Sequence, residues 1–66
     1  MESDNQFSDI KIGQVFFEGS TGEYYVKNSA TSALVYDIGK LCVYRDRDGH
    51  TECYFDPEHP VEVEEV

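Results

Sequence analysis

Apolar positions along the 66-residue chain fall in short runs rich in Val, Ile, Tyr and Phe, each bounded by Gly, Ser, Asn, Asp or Pro. These runs predict strands over 15–18, 23–28, 33–38, 41–45, 51–55 and 61–66. Between the first two, "GSTG" at 19–22 supplies the glycines of a tight hairpin turn. "NSATSA" links the second to the third, Gly39 breaks the run before the fourth, and "DPEHP" precedes the last. No window repeats apolar residues at i, i+3, i+4 and i+7 over three turns, so at most one helical turn is expected, at 7–10, with Ser8 as its cap.

Five or six short strands with tight connections predict an all-β meander that curls into a small SH3-like barrel, because closure removes exposed edges. An OB-like barrel or a small sandwich is the alternative; the OB form is weakened by the lack of a helix between strands three and four. The length allows one domain, expected over 7–66 behind a flexible acidic stretch at 1–6. Nine aromatic residues supply its core, since each can bury a large area.

Charge narrows the function. Fourteen Asp and Glu against five Lys and Arg give a formal net charge of -9. The five cations are scattered, so phosphate and anionic-membrane binding are disfavoured, and a single-stranded nucleic-acid binder ranks last. Asp56, Glu58, Glu62, Glu64 and Glu65 crowd the last eleven residues without a Lys or Arg among them. No run approaches the ~20 apolar residues of a membrane span, and the acidic start is unlike a signal peptide, so a cytoplasmic protein is expected.

"YRDRDGHTECY", 44–54, is the one stretch that invites chemistry. As a calcium loop it fails: aligning Asp46, Asp48 and Gly49 with the middle of an EF-hand puts Tyr44 and Phe55 at ligand positions. Zinc would need four ligands, and only Cys42, Cys53, His50 and His59 exist, with no closely spaced Cys pair. A hairpin turning at Asp48-Gly49 pairs Cys53 with Tyr44 or Val43 rather than with Cys42, which predicts two reduced thiols. Carboxylate pairs are expected from composition alone, and a filled small barrel leaves little cleft. No catalytic residues, no cofactor and no metal are therefore expected.

In the second strand, alternation sets Tyr25 and Lys27 on one face and Tyr24 and Val26 on the other. One tyrosine is then core and the other a surface aromatic. Tyr25 with Lys27, and Arg45 with Arg47, are the expected secondary contacts with a partner, after the acidic end.

"FSDIKIGQVFFEGSTGEYYVKNSATSALVYDIG" followed by "YFDPEHPVEVEEV" resembles short acidic proteins of tailed bacteriophages. The likeness rests on Gly13, Phe16, Tyr25, Lys27, Phe55, Asp56, Pro57 and Val61, and the hairpin at 45–50 goes beyond it. It implies a phage origin, a host-cell cytoplasmic location and no established activity. Small phage proteins often bind and redirect a host factor. Carboxylates at i and i+2 along a strand stand about 6.6 Å apart, roughly two base steps of a DNA strand. A non-enzymatic protein that inhibits or modulates a host or defence protein through an acidic, nucleic-acid-mimicking surface is the functional expectation. A structural module that forms a homodimer through an edge strand is the alternative. Glutamates that only solvate an edge strand are the bland reading of the same residues.

Overall fold

The computed structural model describes residues 5–47 and 49–63, without the side chains of Asp46 and His50. Glu64 and Glu65 lie outside these residues, as does Asp48. The chain is all-β. Its strands are β1 (Asn5–Gln6), β2 (Val15–Glu18), β3 (Glu23–Lys27), β4 (Ser32–Asp37), β5 (Cys42–Val43), β6 (Arg45–Asp46), β7 (Gly49–His50), β8 (Glu52–Tyr54) and β9 (Pro60–Val63). Seven form one antiparallel sheet in the order β1-β9-β2-β3-β4-β5, with β8 also on β4.

The sheet is open, since among the described residues no ladder joins β1 to β5 or β8. It nevertheless curls around one core. Phe7, Phe16, Ala33 and Val61 are fully buried, and Ile10 and Tyr25 nearly so. Phe7 stacks on Phe55 at 5.0 Å and Phe16 on Tyr25 at 5.6 Å, while Phe55 sits edge-on to both Phe16 and Tyr25. Each such ring removed from water contributes on the order of 1.5–3 kcal/mol. Two backbone hydrogen bonds hold the 3₁₀ turn Phe7–Asp9 to the proline-flanked segment before β9, from Phe7 N–H to His59 O and from Ser8 N–H to Pro57 O.

Four expectations need correction. The sheet starts at Asn5, which pairs with Val61, so residues 5 and 6 belong to the domain. The turn at 7–9 is capped by Asp9, whose carboxylate accepts the Gln6 N–H at 2.9 Å, and Ser8 is exposed. β9 is no edge strand: it lies between β1 and β2, with Glu62 opposite Phe17.

The fourth concerns 41–55. β6 and β7 pair Arg45 with His50 and Asp46 with Gly49, so the ribbon turns between Asp46 and Gly49, and Gly49, at φ +116°, already belongs to β7. This differs from the register of a hairpin turning at Asp48-Gly49, which would set Cys53 opposite Tyr44 or Val43. Extended, the observed register would put Cys42 opposite Cys53, yet β5 and β8 do not pair with each other. Both lie along β4, Cys42 beside Asp37 and Cys53 beside Ala33. Those partners are four residues apart, about 13 Å along the strand, and both thiols are free.

Candidate functional site

Three surfaces could carry function: the acidic end, the sheet face turned away from the core, and the ribbon made by β6 and β7.

The acidic end is built on a braced turn. His59 N–H donates to Asp56 O, and the His59 ring Nε2 lies 2.6 Å from Glu18 Oε2. Ser20 Oγ donates to the same Glu18 oxygen at 2.6 Å, and Thr21 donates its N–H and its hydroxyl to Oε1, each at 2.8 Å. Burial opposes ionisation of Glu18, but hydrogen bonds from Ser20, His59 and Thr21 outweigh it and hold the pKa at about 2. The clasp thus ties the β2–β3 turn to the segment before β9. On that segment Asp56 and Glu58 are exposed, and Glu62 is exposed two residues beyond Pro60.

A cleft of about 570 Å³ opens beside the clasp, lined by Glu18, Thr21, Tyr25, Cys53, Asp56 and His59 among others. A cleft of this size was unexpected. Each Glu18 oxygen already accepts two hydrogen bonds, so its in-plane lone pairs are used and it is not free to act as a base. No group of three or more His, Cys, Asp or Glu capable of holding a metal occurs among the described residues.

Tyr25 and Lys27 do share a face, but it is the core face, which corrects their expected role at the surface. Tyr25 is 4% exposed and Lys27 6%. The Tyr25 hydroxyl lies 3.2 Å from Thr21 Oγ1, and burial pushes the phenol pKa up. Lys27 Nζ donates to Phe7 O at 2.9 Å and Ile10 O at 2.8 Å, and sits 4.4 Å from the centre of the Phe7 ring. A lysine that looks like a surface marker in sequence is the bolt that fastens the 3₁₀ turn to β3.

The face turned outward therefore carries Tyr24 and Val26. Cross-strand pairing sets Glu62, Phe17, Tyr24, Tyr36 and Val43 in one row. A second row holds Val15, Val26, Leu34 and Glu52. The apolar members of both rows are half-buried and stand apart from the core cluster. Sheets with one solvated face usually alternate, with that face polar. The signal was present in "VFFE", "YYVK" and "ALVYD", where apolar residues occupy consecutive positions instead of alternate ones. The Glu52 carboxylate is fixed by Asn28 Nδ2 and Ser32 Oγ, each at 3.0 Å, and these hydrogen bonds lower its pKa.

Arg45 and Arg47 stand on the ribbon, and both are exposed. The ribbon leaves β4 at a single point. Tyr44 N–H donates to Val35 O at 2.8 Å, and Val35 N–H donates to Thr51 O at 3.1 Å. Two residues thus share the pairing that one would make, with Tyr36 opposite Val43 on one side and Leu34 opposite Glu52 on the other. Residues 44–51 are an excursion from an otherwise continuous strand.

Compared with known protein families, with curated proteins and with solved structures, the chain matches none. Among the described residues no helix is long and apolar enough to cross a membrane.

Proposed function

We propose that the chain is a non-enzymatic binding protein of the phage type, which inhibits or modulates a host or defence protein by presenting carboxylates to a basic surface. The observation that carries this reading is the bracing of the acidic end. Asp56 and Glu58 are exposed on a segment held by the Glu18–His59 clasp and by two backbone hydrogen bonds to the 3₁₀ turn. Carboxylates fixed before binding lose little entropy when a partner arrives, and a net charge of -9 steers basic partners and repels nucleic acid. Glu62 is exposed on β9, and the i, i+2 spacing of Glu62 and Glu64 in the sequence is the spacing that supports nucleic-acid mimicry, with Glu64 and Glu65 outside the described residues. In architecture we read the curled sheet as an SH3-like barrel opened along one seam.

The test is capture of basic proteins from bacterial lysate at low and high salt, followed by charge reversal at Asp56 and Glu58. Binding should fall with salt and with both reversals. A partner retained at full affinity by the doubly reversed chain would remove the acidic end from the reading.

A further inference from the structure

The outer side of the sheet is apolar at its centre and acidic at its margins. Phe17, Tyr24 and Tyr36 run across β2, β3 and β4, and Val15, Val26 and Leu34 run beside them. All six are half-buried although none belongs to the core cluster; the Phe17 and Tyr24 rings shield each other at 5.0 Å. The β6–β7 ribbon turns the other way at its foot, where Tyr44 and Thr51 line a hollow with Val35 and Glu23, on the side of the sheet that carries Tyr25. An apolar sheet face left in this state is a layer without its partner layer.

The margins say what the missing layer carries. Glu62 on β9 lies opposite Phe17, and Glu52 on β8 lies opposite Leu34. Both are exposed, and the Glu52 carboxylate is held in place by Asn28 Nδ2 and Ser32 Oγ, each at 3.0 Å. Neither row holds a cation, because Lys27, the only Lys or Arg in β2, β3 and β4, points into the core. The same face of a second copy therefore brings no cation to meet these acids, and two chains of net charge -9 repel. An anionic lipid surface is opposed on the same ground. An extended segment adds to a sheet edge rather than to a face, whereas an amphipathic helix lays its apolar stripe on a face. A helix is about 10–12 Å across, and the rows span two inter-strand gaps, about 10 Å.

We propose that this face receives an amphipathic helix of a partner protein, its apolar stripe at i, i+3, i+4 and i+7 on the aromatic row and its Lys or Arg residues facing Glu52 and Glu62. The surface is distinct from the braced turn of the acidic end: Asp56 and Glu58 lie in neither row, and only Glu62 belongs to both, so Glu62 is left unchanged in the test. So small a footprint belongs at the weak end of specific interfaces, with a dissociation constant in the micromolar range or above.

The probe is a synthetic helical peptide of about 18 leucines and lysines with the leucines at that spacing, added to the isotope-labelled full chain at about 0.3 M salt, where long-range attraction is screened. Amide NMR shifts should move at Phe17, Tyr24, Val26, Leu34 and Tyr36. A peptide of the same composition in an order without that spacing should bind about tenfold more weakly or worse. Tyr24→Lys should weaken the spaced peptide about tenfold or more, since Tyr24 is the aromatic anchor at the centre of the patch. Glu52→Gln keeps an oxygen for Asn28 and Ser32 but removes the charge, and should weaken it about two- to fivefold. Asp56→Lys with Glu58→Lys should leave the affinity within about threefold. Should Tyr24→Lys fail to fold, the shift map of the unaltered chain still decides. Shifts confined to the neighbourhood of Asp56 and Glu58, equal binding of the two peptides, or binding lost on the double reversal would assign the peptide to the acidic end and sink the proposal. No binding up to about 1 mM would sink it too, and would leave the acidic-end reading to its own test.

Discussion

Two buried charges, Glu18 and Lys27, hold the molecule together at positions where a sequence gives no warning. Glu18 and His59 are 41 residues apart, so no local motif joins them; only the topology that sets β2 beside β9 does. Glu18 has a folded pKa of about 2 against an ordinary 4.5. A depressed carboxylate pKa contributes stability that is fully present above the unfolded value and lost as pH falls toward the folded one. The thermal midpoint should therefore decline as pH drops from about 4.5 to about 2. Glu52 is lowered in the same sense, so Glu18→Gln should shrink this decline without erasing it. A Glu18→Gln chain with the full wild-type decline would remove Glu18 as its source. Lys27 makes the complementary case. Lys27→Met keeps the stem that packs by Phe7 but strips the donor from Ile10 O, a buried-hydrogen-bond loss of about 1–3 kcal/mol. A urea midpoint unmoved by that substitution would show that the ammonium contributes nothing net.

The positions of β2, β3, β4, β5 and β8 and the start of β9 were legible in the sequence to within a residue or two, because Gly19, Gly22, Gly39 and the prolines mark the breaks regardless of tertiary context, whereas β1 and the β6–β7 ribbon were not. Sheet order was not legible. Pairing of β9 between β1 and β2 is a long-range choice, and it sets Glu62, expected on an edge strand, on a strand with neighbours to either side. The inversion of faces in β3 has one cause: a lysine in a strand ordinarily faces solvent, whereas here two backbone carbonyls and the Phe7 ring pay for the burial of Lys27. The register at 45–50 was missed for another reason. A hairpin turning at Asp48-Gly49 requires β5 and β8 to pair with each other, and they pair with β4. That geometry makes a prediction at the level of the element. Replacing residues 44–51 by a single Thr should leave β5 and β8 as one strand, with Val43 still opposite Tyr36 and Glu52 opposite Leu34. Because shortening an excursion changes loop entropy only slightly, stability should stay within about 1 kcal/mol. Amide exchange protection at Val35 should persist, and its loss would mean that the ribbon braces the sheet.

For the molecule as a whole, the question is whether the acidity is a surface with a purpose or only a solvent coat. Composition alone could not decide, since a charge of -9 keeps any small domain soluble. Position separates the two readings. The edge-protection reading required the acidic strand at an edge, and β9 has β1 against Pro60 and Val61 on one side and β2 against Glu62 and Val63 on the other. Asp56 and Glu58, moreover, sit on a turn rather than a strand, where they guard no ladder. If they meet a basic partner, reversing both to Lys should lower the association rate most, flatten its salt dependence and leave dissociation less affected. The fold should survive, because both side chains are exposed and surface changes cost about 0.5 kcal/mol or less. His59→Ala offers a further arm. It leaves Asp56 and Glu58 in place but removes the side chain that clasps their segment to Glu18. If bracing matters, affinity should fall although every surface carboxylate remains, and the loss should persist at high salt. An affinity that tracks net charge alone, with His59→Ala neutral and any two reversals equivalent, would reduce the acidic end to long-range steering.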